Sequence, residues 1–357
     1  MTDASIVWTD PARAKAFSVW LQHVTPAHGL LPDTVRPASA DASFRRYFRV
    51  STAGSSSCII MDAPPAQEDC RPFVKVARLM ADAGLQAPRV LAWDEPQGFM
   101  LLNDLGAQTM LEVIDQQNET DRPQRAYALY RDAVDVLVNW QLASRPDVLP
   151  SYDDALLSRE LALFPDWYVE KHRGIAIDST LRGKLDTLFA QIKDSNLNAL
   201  GGARVYVHRD FMPRNLMVAQ DGTPALGVLD FQDAVYGPIT YDIASLMRDA
   251  FVSWPEDFVL EITVRYWEQA RKAGLPVGDD FGEFYRAVEW MGLQRHLKIL
   301  GIFARLTLRD GKPKYLADTP RFIAYARSTC ARYRALGPLM VLLDEIEGNE
   351  TRVGYTF

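Results

Sequence analysis

One segment constrains the fold of this chain more than any other, and it runs from Val205 to Val218. A short β-branched run leads into the polar loop His208-Arg-Asp-Phe-Met-Pro-Arg-Asn215, and a second apolar run leaves that loop. Asp221-Gly222 is typical of a tight turn, and residues 225–229 are typical of a third strand, which ends on Asp230. The sequence therefore predicts a strand, a polar loop and a hairpin in succession.

Three polar side chains at this spacing, Asp210, Asn215 and Asp230, are typical of protein-kinase-like phosphotransferases. Phosphoryl transfer requires the protein to position two oxygens and to neutralise charge on the phosphates. We expect Asp210 to orient the acceptor hydroxyl and take its proton, and Asn215 and Asp230 to bind Mg²⁺, with ATP as the donor. Asp and Asn also favour turns, but a carboxylate that ends an apolar strand needs a partner.

Two further residues are predicted to support this loop. We expect His208 to be structural and to hydrogen-bond the loop backbone. Asp242 lies just before an apolar helical run, where it either caps the following helix or braces the catalytic loop. A direct part of Asp242 in the site is the alternative.

The order of predicted elements indicates an α+β chain with a protein-kinase-like two-lobed fold. The pattern predicts a helix over 10–24, strands over 35–50, 57–61, 89–94 and 98–102, a helix from 69 or 70 to 83, and long helices over 127–143, 258–273, 281–308 and 319–335. We assign residues 1–102 to a small N-lobe with an antiparallel sheet and 103–106 to a hinge. Residues 107–357 form a mostly helical C-lobe that carries the catalytic loop and the acceptor site.

The same motifs resemble a known family, the aminoglycoside phosphotransferases and choline kinases, over residues 35 to 310. The resemblance rests on His208–Asn215, Leu229-Asp-Phe-Gln-Asp233 and Gly237-Pro-Ile-Thr-Tyr-Asp-Ile-Ala-Ser-Leu246. Asp41–Val50, Met61-Asp-Ala-Pro-Pro65 and Met291–Arg305 are similar to one subgroup, the anomeric N-acetylmuramate and N-acetylglucosamine kinases of bacterial cell-wall recycling. The resemblance implies transfer to the C1 hydroxyl, with Asp210 catalytic and Asn215 and Asp230 as metal ligands.

The nucleotide site departs from the family pattern at two points. Ala40-Asp-Ala-Ser43 replaces the glycine-rich phosphate loop, and Cys58-Ile-Ile-Met-Asp62 has no Lys or Arg where the family holds phosphates. We predict that Arg45 or Arg46 partly supplies the missing cation, the alternative being that both are solvated strand charges. The other predicted nucleotide-binding residues are Ser43, Asn103 and Asp104.

The acceptor is predicted to be a small molecule. Protein Ser/Thr kinases have a Lys two residues after the catalytic Asp, where this chain has Met212, and no activation segment follows Asp230. An acidic sugar needs a cation, and one face of the predicted helix 281–308 offers several. The predicted acceptor residues on this face are Arg295, Lys298 and Arg305, the alternative being that they form an ordinary solvated face. Trp167 and Tyr168 are also predicted acceptor residues that stack on the sugar, the alternative being that they are core residues.

Other functions stay open at this stage. The acceptor could instead be an aminoglycoside, choline or homoserine. The alternative without enzymatic activity is a pseudokinase that binds a nucleotide and serves as a scaffold. The net charge of -7 without a basic run argues against a nucleic-acid partner. Three scattered cysteines, no signal-peptide pattern and no long apolar run favour a cytoplasmic protein without a membrane partner. The sequence does not assign the oligomeric state.

Overall fold

The computed structural model describes residues 6–40, 44–116, 121–219 and 225–348. They form two compact units: Met1–Arg122 with Arg214–Asp233, and Pro123–Pro213 with Ala234–Phe357. The hairpin that follows the catalytic loop thus belongs with the first unit. The proposed hinge at 103–106, with its lobes over 1–102 and 107–357, stays a prediction.

The strands are β1 (Arg36–Ala40), β2 (Arg46–Ser51), β3 (Ser57–Asp62), β4 (Val90–Asp94), β5 (Phe99–Asn103), β6 (Arg204–Val207), β7 (Leu216–Met217), β8 (Gly227–Val228) and β9 (Val235–Pro238). The helices are α1 (Pro11–His28), α2 (Arg71–Asp82), α3 (Met110–Asp115), α4 (Arg122–Leu142), α5 (Asp154–Leu163), α6 (Ser179–Asn198), α7 (Thr240–Met247), α8 (Glu256–Lys272), α9 (Phe281–Leu308), α10 (Thr319–Arg332) and α11 (Gly337–Glu347). This content confirms the α+β class. The predicted turn at Asp221-Gly222 lies outside the described residues.

The first unit is built on an antiparallel sheet with the strand order β1-β2-β3-β5-β4. Asp10 caps the start of helix α1, because its carboxylate accepts the N–H of Ala12 at 2.8 Å. Its apolar face packs on the sheet, with the ring centroids of Trp20 and Phe99 5.4 Å apart. The leading helix is therefore part of the core that supports the sheet.

The second unit is helical around α9. Strands β6 and β9 pair antiparallel within it, and a π-helical segment, Phe164–His172, continues α5. Every residue of α9 from Ala287 to Gly301 is buried, so the predicted alternative of a solvated cationic face is wrong for Arg295 and Lys298. None of the helices in the described ranges is both long and apolar enough to cross a membrane.

Candidate active site

The catalytic loop begins where β6 ends, and its backbone is held by Asp242. The two oxygens of this fully buried carboxylate accept the N–H groups of His208 at 2.7 Å and Arg209 at 3.0 Å. Burial raises the pKa of Asp242, and these N–H donors and His208 act in the opposite direction. Asp242 braces the loop, and the N-cap interpretation is wrong because α7 begins after Ile239.

His208 and Arg209 fix the backbone just before Asp210. Nδ1 of His208 accepts the N–H of Asp210 at 3.2 Å, which is the backbone contact predicted for it. Arg209 has φ +77°, a left-handed conformation that costs a non-glycine residue about 1–2 kcal/mol. A residue persists in such a conformation only where its surroundings hold it there.

Glu160 on α5 is the centre of a buried polar cluster beside this loop. One carboxylate oxygen accepts from Arg209 at 2.6 Å and Lys298 at 2.8 Å. The other accepts from Tyr152 at 2.6 Å and Gln294 at 2.9 Å. Burial alone would raise the pKa of Glu160, but Lys298 and Arg209 hold it well below its usual range. The pKa of Lys298 is raised despite burial because Glu160 favours its charged form.

The first unit contains a cavity of about 470 Å³ that Asn215 and Asp230 line. The hairpin brings these two residues to one place: β7 and β8 pair, and the N–H of Leu229 donates to the carbonyl of Asn215 at 2.9 Å. Asp230 has φ +62° and accepts a hydrogen bond from Gln232 at 2.9 Å. An amide oxygen and a carboxylate that line the same cavity are suited to a hard divalent cation.

Asp104 organises the wall of the same cavity, together with Arg49. Its carboxylate accepts from Arg49 Nε at 2.6 Å, from Ser57 at 2.6 Å and from the N–H of Gly106 at 3.0 Å. Burial opposes ionisation, yet Arg49 and Ser57 leave the pKa of Asp104 lowered. Asn103 also lines the cavity, and its side-chain oxygen accepts the N–H of Arg89.

Arg49 was missed by the sequence reasoning. It lines both this cavity and a second one of about 550 Å³ in the same unit. Strand alternation was the available signal, because Arg49 shares a face of β2 with Tyr47 while Phe48 and Val50 point into the core.

The two predicted phosphate cations have other partners. Arg46 donates through Nε to Asp62 at 3.0 Å, and Arg13 of α1 binds the other oxygen of that buried carboxylate at 2.6 Å. Arg46 is thus not a freely solvated charge. Arg45 lies 3.8 Å from Glu68. A phosphate role for either arginine stays a prediction, and Ser43 lies outside the described residues.

The predicted acceptor residues separate into two groups. Arg295 and Lys298 lie at the catalytic loop: Arg295 donates to the carbonyl of Arg209 at 2.6 Å, and Lys298 donates to Glu160 and Tyr241. The remaining three lie elsewhere in the second unit.

Tyr168 is buried, and its hydroxyl donates to Glu347 at 2.8 Å, as expected of a core residue. Trp167 is half-buried beneath the ammonium of Lys171, 3.6 Å from the ring centroid. Arg305 lies near the end of α9, where burial and Arg309 lower its pKa. A substrate role for the five predicted acceptor residues stays a prediction.

The antiparallel sheet of the first unit, the braced His-x-Asp loop and the Asn–Asp hairpin are each typical of phosphotransferases. The chain belongs to the phosphotransferase enzyme family, whose model matches residues 34–280. This confirms the family resemblance inferred from the sequence motifs.

Individual relatives extend the match over nearly the whole chain. An N-acetylmuramate/N-acetylglucosamine kinase of Pseudomonas aeruginosa is 48% identical over 345 residues, which cover 95% of this chain and 98% of the relative. A protein with the same description from Neisseria meningitidis is 48% identical over 341 residues, with 95% and 97% covered. Among solved structures, a choline kinase of Streptococcus pneumoniae shares the fold with a TM-score of 0.57 at 11% identity, covering 88% of this chain and 99% of that one.

Proposed function

We propose that this protein is an ATP- and Mg²⁺-dependent kinase that phosphorylates the anomeric C1 hydroxyl of N-acetylmuramate and N-acetylglucosamine. Its place would be the cytoplasmic recycling of cell-wall amino sugars. The observation that carries the substrate assignment is the 48% identity to kinases described for both sugars, over 95% of the chain. The choice of C1 rests on the resemblance of the motifs around residues 41–50, 61–65 and 291–305.

Asp210 is the group that would act on the acceptor. Its carboxylate would accept a hydrogen bond from the C1 hydroxyl and take its proton as the sugar oxygen bonds to the γ-phosphorus. The bond from the γ-phosphorus to the β–γ bridging oxygen breaks in the same step, and ADP leaves. The contacts of Asp242 and His208 support this role because they restrain the backbone on which Asp210 stands.

Asn215 and Asp230 would hold the metal. In the described ranges, no group of three or more His, Cys, Asp or Glu could hold an ion by itself. That pattern fits Mg²⁺, which in kinase sites takes one or two protein ligands and completes its shell with phosphate oxygens and water. When bound there, Mg²⁺ would neutralise charge on the phosphates.

The cavity beside these ligands fits a nucleotide. Its walls combine apolar side chains with polar groups, a typical lining for a small-molecule site. Ile59, Leu102 and Met217 offer apolar surface for a base, and Asn103 and Asp104 lie on the segment that follows β5. Arg49 and Arg214 both line this cavity. Arg49 lies on the strand next to Asp104, so we include it with Arg45 and Arg46 among the candidates for phosphate contact.

The decisive experiment measures ADP release with N-acetylmuramate, N-acetylglucosamine, choline, homoserine and kanamycin as separate acceptors. We expect turnover on the two amino sugars alone. Asp210→Asn should lower kcat by about 10²–10⁴-fold because it removes the proton acceptor. The matched control is Asp186→Asn, since Asp186 is exposed on α6; this variant should behave as wild type.

Each other outcome has a definite meaning. Turnover only on choline, homoserine or kanamycin would keep the fold and mechanism but contradict the amino-sugar assignment. A protein that binds ATP but phosphorylates none of the five acceptors would favour the pseudokinase scaffold. Full activity in Asp210→Asn would contradict the role of the loop.

A further inference from the structure

The contacts of Arg295 on α9 suggest a role that differs from binding substrate. We propose that Arg295 is a positioning residue for Asp210, acting through the carbonyl of Arg209. This role rests on the proposed function, in which Asp210 acts on the acceptor. Arg295 would not touch the substrate but would set the geometry of the loop that carries Asp210.

The backbone between His208 and Asp210 is held in an unusual conformation. Arg209 has φ +77°, a backbone conformation that residues other than glycine, asparagine and aspartate rarely adopt. The peptide N–H groups of His208 and Arg209 are both held by Asp242, at 2.7 and 3.0 Å. Asp242 therefore fixes the N–H of Arg209 but not its carbonyl. That carbonyl belongs to the peptide that joins Arg209 to Asp210, and another group must hold it.

Arg295 supplies that group. Its Nη1 donates to the carbonyl of Arg209 at 2.6 Å, and its side chain is held in turn by Tyr241, whose ring centroid lies 4.8 Å from the guanidinium carbon. Arg295 is only 3% exposed, and it sits on the part of α9 that is buried throughout. A planar guanidinium fixed by packing is a rigid donor, so it restrains the peptide rather than following it.

The side chain of Arg209 completes the restraint. Its guanidinium is bound by Glu160 at 2.6 Å, and Glu160 is held in turn by Lys298 and two neutral donors. Arg209 is thereby held at its N–H, its carbonyl and its side chain by groups on three helices, α7, α9 and α5. Over-determination of this kind is what keeps a strained residue in place at a catalytic site.

The same facts argue against Lys298 as a receiver of a sugar carboxylate. Its ammonium already donates to Glu160 at 2.8 Å and to Tyr241 at 3.1 Å. Arg295 Nε has no partner in the described part of the chain, so contact with a sugar carboxylate is the competing role for Arg295. N-acetylmuramate has a carboxylate and N-acetylglucosamine has none, so the two sugars separate these roles.

The experiment compares Arg295→Met and Arg295→Lys with wild type, measuring kcat and KM for both sugars. We expect Arg295→Met to lower kcat by about 10²-fold, as for a displaced catalytic group, equally for both sugars and with KM changed less than about threefold. Arg295→Lys keeps a donor and should recover part of that loss. Arg286→Met is the control, because Arg286 is an exposed cation of the same helix and should leave activity unchanged.

Amide hydrogen exchange over residues 205–212 provides a second readout that does not depend on turnover. If Arg295 positions the loop, the amide hydrogens of His208 to Asp210 should exchange faster in Arg295→Met than in wild type. If the Met variant does not fold, the same comparison is made with Arg295→Lys. A KM increase confined to N-acetylmuramate would overturn the proposal in favour of carboxylate binding, and so would unchanged kcat and exchange. If wild type phosphorylates neither sugar, the proposed function fails while the exchange result still decides the positioning role.

Discussion

Replacing Glu160 by Gln tests how strongly the second unit depends on its buried charge cluster. Gln keeps the shape of the side chain, but its amide presents donor hydrogens where a carboxylate oxygen now accepts. Either Arg209 and Lys298, or Tyr152 and Gln294, would then face another donor. Both cations would also lose the negative charge that compensates their burial.

The expected magnitude follows from those contacts. Removing one partner of a buried ion pair typically costs about 3–5 kcal/mol, because the remaining charge is left uncompensated. In a cooperative unit of about 200 residues each kcal/mol lowers Tm by about 2–4 °C, so we expect Tm to fall by roughly 6–20 °C. Because the pKa of Glu160 is lowered in the folded protein, its contribution is present at neutral pH and is lost as pH falls below about 4.

Thermal unfolding of Glu160→Gln and wild type at pH 7 and at about pH 3 measures this cost and its loss on acidification directly. Asp154→Asn is the matched control: Asp154 lies on the same helix and pairs with Lys193 at 2.8 Å, but its side chain is 64% exposed. An exposed pair contributes at most about 1 kcal/mol. Equal, small changes in both variants at pH 7 would refute the reasoning about the cluster.

Two further predictions concern the second unit. A Cβ at Gly301 would collide with the carbonyl of Leu163, so Gly301→Ala should destabilise the protein by about 3 kcal/mol in the same unfolding assay. Its control is Gly183→Ala, which has open space around the new Cβ and should stabilise helix α6 by about 0.5–1 kcal/mol. Burial raises the pKa of Asp249 to about 7, so the folded protein binds this proton more tightly than the unfolded chain and loses stability as pH rises from about 4 to 7. Asp249→Asn should therefore raise Tm at pH 8 but not at pH 4, and an equal effect at both pH values would contradict this assignment.

Much of the fold could be predicted from local patterns. Helix α9 begins and ends at the predicted residues 281 and 308. Strands β3, β4 and β5 begin and end within one residue of the predicted ranges 57–61, 89–94 and 98–102. These elements carry strong periodicity and clear end signals, such as the Asp280 cap of α9. The catalytic motif was recognisable because its residues are close together in sequence.

The partners of buried charges could not be predicted in this way. Arg295 and Lys298 follow a helical repeat that also describes a solvated face. The charge of Lys298 is compensated chiefly by Glu160, which lies far away in sequence. The pair of Arg49 and Asp104 likewise depends on the register of β2, β3 and β5. Sequence periodicity predicts the face of an element on which a residue lies, but not the distant residue that it contacts in the folded protein.

The measurement that tests the central claim most directly is NMR of the product formed from N-acetylmuramate, ATP and Mg²⁺. We expect one new phosphorus signal coupled to the anomeric proton, and loss of mutarotation, because a phosphate on C1 locks the ring. A product that still mutarotates, with phosphorus coupled to protons at another carbon, would contradict the assignment of the anomeric hydroxyl. The absence of any phosphorylated sugar would contradict the amino-sugar kinase itself.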